Sequence, residues 1–481
     1  MRAQPPRLQV AADAPRRSPC QYEFCTEYLL CCSDPEPLTL QELLGVADAD
    51  SRARYDSMVL GYTESQGMPE LREAIAEQYT DVAAEDLLVI APEEGVYLAM
   101  TALGERLLAE GKTHVVCTSP AYQSLYQILE STFGLRVSFW EPRVDPADGV
   151  SLRFDVEDLE ALVEPGQTGI VVINFPHNPS GCMLTPEEQA RVAAVANGAG
   201  AAVFSDEMYR GVEHGGRGTL PSFADIDVER SSLCLGGLSK TYGLPGLRMG
   251  WIATRDRTLM TRMRELRDFT TICSPGPSEV LALAAVRAAP ELQGRVKARV
   301  AQNVAIADEF FAERENIFAW AKGGPAAATF AMCVTVRART CAHAHKEAVG
   351  PEHVRGCLQR WKAPLTPSRV HPDPITRPHA PRRPRFKRDG ADAEVLSDAI
   401  VEEASVLLLP ATALDFGRPE VRARARMTAS ATSTREVLPL ALQTLTAHSQ
   451  YFRFGLGRAD FEEALGALGD ACEMDAVLDL L

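Results

Sequence analysis

Short unbroken apolar runs, "DLLVIA", "THVVCTS", "GIVVINF", "AAVFS", "SLCLGG" and "RMGWIAT", recur between residues 86 and 254 and are mostly separated by amphipathic stretches. Branched, apolar segments without a polar face suit strands that are covered on both sides. Alternating with helical patterns, they predict a mainly parallel sheet with helices on both faces, a three-layer α/β fold. Such a fold needs a large core, and 481 residues at 46% hydrophobic composition supply one. One connecting helix is signed at its start: in "TPEEQARVAAVAN", Thr185 stands as N-cap, Pro186 in the first turn and Glu188 completes a capping box. After about residue 280 the alternation weakens, which predicts a second, smaller α+β domain.

The expected organisation is a disordered tail over 1–19, an N-terminal segment over 20–55 contributing to the small domain, a large domain over 56–280 and a small C-terminal domain over 281–481. The tail is rich in Arg, Pro and Ala and poor in acid, which also suits an organelle-targeting sequence. In the entry segment "YLLCCSDPEPLTLQELL", Thr39 or Asp34 is placed to cap a short helix. Two stretches depart from a globular pattern: 340–390, crowded with proline and positive charge, and about 420–448, which lengthens a loop. Both read as disordered inserts.

Charge and composition narrow the partners. A formal net charge of −16 opposes attraction to phosphate backbones and anionic lipid, so neither nucleic acid nor membrane is expected, and small molecules are. No apolar run approaches the roughly 20 residues that cross a bilayer. The expected location is cytoplasmic, with organellar import the alternative. The 12 cysteines lack CxxC spacing and read as reduced thiols rather than a metal site.

Open α/β sheets place their ligands at the carboxyl ends of strands. "GIVVINF" is followed by a proline-flanked loop holding Asn178, "AAVFS" by Asp206 and Tyr209, and "SLCLGG" by Lys240. A lysine amine can form an imine with an aldehyde, a buried Asp can keep a pyridine nitrogen protonated, and Tyr and Asn can bond a phenolate oxygen. Those are the requirements of pyridoxal phosphate, and Arg248 would add a cation for its phosphate. Singly, each residue has a plainer reading as a surface charge, helix cap or half-buried aromatic. Their order at successive strand ends argues against coincidence.

From Tyr22 to Leu468, the two inserts excepted, the sequence resembles the class I/II aminotransferases, fold type I pyridoxal-phosphate enzymes. The resemblance implies Lys240 as the Schiff-base lysine, Asp206 as partner of the pyridine nitrogen, Tyr209 and Asn178 as ligands of the ring oxygen, and Ser239 and Arg248 as phosphate ligands. It implies Tyr122, in "SPAYQSLY", as the aromatic stacked on the ring, and Tyr62, in "LGYTESQG", as a tyrosine reaching the neighbouring subunit's phosphate, hence a homodimer with shared sites. Arg453, in "YFRFGLGR", matches the arginine that clamps the substrate carboxylate, and Asn178 is expected to bind that carboxylate with it. The implied activity is transfer of an amino group from an L-amino acid to a 2-oxo acid.

Two positions depart from the family pattern. "APEEG" stands where many relatives open a helix with Gly-Ala; Pro92 has no N–H to donate, so the amides of Glu93 and Glu94 are expected to serve the phosphate instead. Gly237 stands where a serine is frequent. "DFTTICSPGPSE" and "SDPEPLTLQELL" are most similar to a capreomycidine-synthase-like branch, so a fold type I lyase or cyclase is the alternative activity. A non-catalytic, cofactor-binding regulatory protein is the third reading.

Overall fold

The computed structural model describes residues 28–213, 218–226, 228–229, 231–315, 318–321, 330–335, 409–410, 451–456 and 458–472. The tail over 1–19 and the whole of the two expected inserts lie outside these residues. The main sheet contains β1 (Leu87–Ile90), β2 (His114–Thr118), β3 (Arg136–Trp140), β6 (Thr168–Asn174), β7 (Ala202–Asp206), β8 (Ser232–Gly237) and β9 (Gly250–Ala253). A small antiparallel pair, β4 (Arg143–Val144) and β5 (Leu152–Arg153), lies in the connection from β3 to β6. The seven strands run in the order β1-β9-β8-β7-β6-β2-β3. Pairs within β3, β2, β6, β7 and β8 are parallel, whereas β9 is antiparallel to both of its neighbours.

Strand residues alternate between two cores. Val89, Val116, Val171, Ile173 and Val203 face one side, beneath helices that include Pro186–Ala199 and Gly276–Arg287. Leu88, Val115, Val172, Phe204 and Leu235 face the other, against Pro92–Ala109, Ser124–Phe133 and Arg257–Arg267. Both faces being covered explains the lack of polar alternation in these strands. Thr185 and Glu188 form the expected capping box, and Thr39 caps Leu40–Val46 with Glu42 in a second one. Strand β3 is an edge strand with partly open positions, and its mixed pattern escaped the sequence reading.

The second sheet has the order β10-β11-β13-β12, built from Phe318–Ala321, Phe330–Thr335, Tyr451–Gly455 and Leu409–Pro410. Its third core joins Leu30 and Phe318 to the helices Ala289–Glu313 and Phe461–Cys472. Asn303 Nδ2, on the long helix, donates to the backbone oxygens of Leu456 and Arg458 at 2.8 Å each. That contact anchors the chain just beyond β13, the strand that carries Arg453.

Candidate active site

In the main sheet Asn174 pairs with Asp206, and Asp206 with Leu235, so β6, β7 and β8 deliver their following residues to one edge. After β6, the Asn178 N–H donates to Asn174 Oδ1 at 2.9 Å, while Asn174 Nδ2 donates to the Asp206 carbonyl at 3.0 Å. One amide thus ties the loop to the neighbouring strand. His177 Nε2 lies 3.0 Å from the Pro120 carbonyl, which can only accept, so Nε2 carries the proton and Nδ1 accepts from Ser180 at 2.6 Å. Burial holds the imidazole down at about 3, making His177 a neutral prop for the loop.

Asp206 is 6% exposed. Burial pushes its carboxyl up to about 7; the Met208 N–H, donating at 3.1 Å, opposes the rise, Glu93 and Glu207 add to it, and Lys240 opposes it. A cation placed against this carboxyl would draw it into the charged form.

Lys240 stands in the short helix Leu238–Thr241 at the end of β8. Its Nζ donates to Ser33 Oγ at 3.0 Å and lies 3.9 Å from Asp34 Oδ1. Asp34 also accepts from Arg458 at 3.0 Å. The phenols of Tyr122 and Tyr209 interact with the same Ser33 hydroxyl. Burial raises Tyr209 well above the ordinary phenol value. In Tyr122, burial of the hydroxyl is outweighed by the Lys240 and Arg453 cations and by Ser33, so that phenol is lowered, while the residue as a whole stays 42% exposed.

Arg453, buried on β13, donates from Nη1 to Asn178 Oδ1 at 2.8 Å and from Nη2 to the Cys31 carbonyl at 2.7 Å. The opposite end of the Asn178 amide, Nδ2, is buried with no hydrogen-bond partner among the described residues. A buried donor of this kind calls for an acceptor from a bound group.

Glu93 and Glu94 lie in the first turn of Pro92–Ala109, where no side chain caps the helix. Glu93 bears electrostatically on Asp206, whereas the Glu94 carboxylate accepts from the hydroxyls of Thr270 and Thr271. Ser239 is buried beside Lys240. Gly237 has a packing reason to be glycine: a Cβ there would come within 2.9 Å of Met208 Cε. Arg248 adopts a left-handed φ of 55° and donates to the Pro245 carbonyl at 3.0 Å, with its side chain open to solvent. Tyr62 is 91% exposed and takes no part in its own chain's cluster.

The structure therefore gathers Lys240, Asp206, Tyr122, Tyr209, Asn178 and Arg453. It adds Ser33, Asn174 and the Asp34–Arg458 pair, which the sequence reading did not place in the site; Asp34, a candidate helix cap there, lies by Lys240 and accepts from Arg458, while Thr39 caps the helix. Asn174 had a visible signal, a polar residue ending an apolar run as Asp206 does. Ser33 carried no motif signal, since its segment reads only as the entry to a helix capped at Thr39 or Asp34.

A seven-stranded, mostly parallel sheet with lysine, aspartate and asparagine at adjacent strand ends defines the fold type I class. Solved structures agree on the fold: a PLP-dependent aminotransferase from Streptococcus suis superposes with a TM-score of 0.66 at 21% identity, covering 94% of this chain and 95% of that one. A PLP-dependent cyclase does so at 0.62 and 24% identity, covering 92% of each. Residues 30–445 match the family model for aminotransferase class I and II, and the chain belongs to that family. Valine–pyruvate aminotransferase of Mycobacterium tuberculosis is 30% identical over 233 residues, 47% of this chain and 56% of that protein. Capreomycidine synthase of Streptomyces vinaceus is 33% identical over 171 residues, 35% of this chain and 41% of that protein. The chain thus spans about half the length of the curated relatives it matches.

The donor set fits pyridoxal 5′-phosphate, the cofactor of the family. Lys240 offers the amine, Asp206 a buried carboxyl that an adjacent cation would draw into its charged form, Asn178 an N–H₂ with no partner among the described residues, and the Pro92–Ala109 helix an uncapped start. Among the described residues no helix is long and apolar enough to cross a membrane.

Proposed function

We propose that the protein is a pyridoxal-phosphate-dependent aminotransferase that moves the amino group of an L-amino acid to a 2-oxo acid. The observation that carries this reading is the convergence of Lys240, Asp206 and the Arg453–Asn178 pair at one sheet edge. When bound, the cofactor supplies an aldehyde that captures the amine and a pyridinium ring that makes the substrate Cα–H bond acidic. Asp206 holds the proton on the ring nitrogen. Asn178 Nδ2 and the Tyr209 hydroxyl donate to the ring oxygen, and Tyr122 offers its open face for stacking. Ser239, Arg248 and the amides of Glu93 and Glu94 bind the phosphate. The Arg453 fork binds the substrate carboxylate with two parallel charge-assisted bonds. Lys240, released as a free amine, takes the Cα proton on Nζ and later returns one, so one side chain serves as anchor and as acid and base.

A homodimer accompanies this reading, with Tyr62 reaching the partner's phosphate site. Val59, Leu60, Tyr62 and Phe269 are 79–91% exposed, which suits a face that a second copy covers. The expected boundaries put the cofactor domain at 56–280 and the smaller domain at 281–481 with 20–55, but packing supports a cofactor domain that runs through the helix Gly276–Arg287 and takes in Leu43, with Leu30 on the smaller side.

The test is an assay of purified protein against an amino-acid panel with and without a 2-oxo acid acceptor. Product formation that depends on the acceptor supports transamination. Similarity to capreomycidine synthase and to the PLP-dependent cyclase favours a lyase or cyclase as the second reading, and acceptor-independent product would establish it instead.

A further inference from the structure

The segment from Cys31 to Asp34 crosses the site and is pinned on both sides of Ser33. The Cys31 carbonyl accepts from Arg453 Nη2 at 2.7 Å, and Asp34 accepts from Arg458 Nη2 at 3.0 Å. Ser33 between them is 3% exposed, and its hydroxyl oxygen lies 3.0 Å from Lys240 Nζ. Asp34 is a competing partner for that amine, at 3.9 Å. The two oxygens differ in what they permit. A carboxylate only accepts hydrogen bonds and therefore favours the ammonium form. A hydroxyl accepts from an ammonium and can also donate to the lone pair of a neutral amine, so it holds both forms.

We propose that Ser33 is a positioning residue for Lys240, holding its free amine at the site edge, in either protonation state, while that amine exchanges a proton with the substrate Cα. Ser33 gains and loses no net proton: its oxygen accepts from the ammonium, and its O–H turns toward the nitrogen when the amine is neutral. Tyr122 and Tyr209 meet the same hydroxyl, so its oxygen stays placed through the exchange. This inference rests on the aminotransferase reading and adds a residue that the sequence pattern did not mark.

The test uses the cofactor-loaded protein and its Ser33→Ala, Ser33→Gly and Ser33→Thr variants. Visible absorbance measures cofactor occupancy, and thermal melting of each cofactor-free form measures folding. Ser33→Ala and Ser33→Gly are expected to load fully and melt near the parent, yet lose about tenfold in kcat with little change in KM for the amino acid. The isotope effect on kcat with an α-deuterated amino acid should rise, because proton transfer becomes slower, and Ser33→Thr should restore both values. Unchanged kcat and isotope effect in Ser33→Ala, or a fully loaded Ser33→Thr as slow as Ser33→Ala, would overturn the proposal while leaving the aminotransferase reading intact. A parent protein that binds no cofactor or transfers no amino group would overturn both.

Discussion

Arg453 Nη1 donates to Asn178 Oδ1 at 2.8 Å, joining residues 275 apart in the chain and two different sheets. The bond determines the amide's orientation: oxygen toward the guanidinium, Nδ2 into the buried space beyond it. Replacing Arg453 therefore removes the proposed carboxylate clamp and the restraint on Asn178 together. Losing a hydrogen bond to a charged group costs roughly 1.5–3 kcal/mol, so Arg453→Gln should raise the apparent Kd for amino acids at least tenfold. Spectroscopic titration with a series of amino acids checks this, and unchanged affinity for all of them would contradict the assignment.

Lys240→Ala should eliminate the visible absorbance of a lysine-bound cofactor and reduce turnover to background. Nζ is bonded to Ser33 rather than built into a core cluster, so the fold should persist, as judged by circular dichroism. A yellow, active Lys240→Ala protein would sink the functional reading.

Asp206 gives stability a pH dependence of defined sign. Its carboxyl, ordinarily near 3.8, is raised to about 7 in the folded protein, mainly by burial. A raised carboxyl supports folding fully below its unfolded pKa and loses that contribution as pH climbs through the folded value. In cofactor-free protein, Asp206→Asn should gain in melting temperature relative to the parent as pH rises from 4 to 8. A difference that stays constant across this range would show that Asp206 is not the titrating group.

Close packing beneath Lys240 makes Gly250 sensitive. A Cβ at that position would sit 2.6 Å from the Gly236 carbonyl oxygen and 2.8 Å from a Pro92 side-chain carbon. Gly250→Ala must then push β9 away from β8, the strand that launches Lys240, at a cost typical of overpacking, about 1–3 kcal/mol. Chemical denaturation measures the loss. Cofactor affinity should fall with it, since the Pro92 turn begins the helix proposed to meet the phosphate.

The imidazole of His177 supports the Asn178 loop through Pro120 and Ser180 and packs edge-on against Phe154 with ring centroids 4.6 Å apart. His177→Ala should destabilise the protein by about 3 kcal/mol, by opening a cavity and removing the imidazole that pairs with the Pro120 carbonyl and the Ser180 hydroxyl. A thermal or denaturant midpoint equal to the parent's would contradict that supporting role.

The strands of the main sheet were legible because burial on both faces leaves an unbroken apolar run, and Asn178, Asp206 and Lys240 were legible because each follows such a run. Chain order alone places these three at successive strand ends. The edge strand β3, half open and mixed in pattern, gave no such run. The reversal of β9 was likewise unmarked; its apolar run reads the same in either direction, and the chain returns antiparallel beside β8 after the Lys240 helix. Tertiary structure alone decided that Ser33 meets Lys240 across 207 residues and that Arg453 meets Asn178 across 275. It also turned Tyr62 outward and left Arg248 bonded to its own turn. Local sequence encodes periodicity and turn chemistry over a few residues; contacts between distant segments depend on how separate cores pack, and no short motif records that.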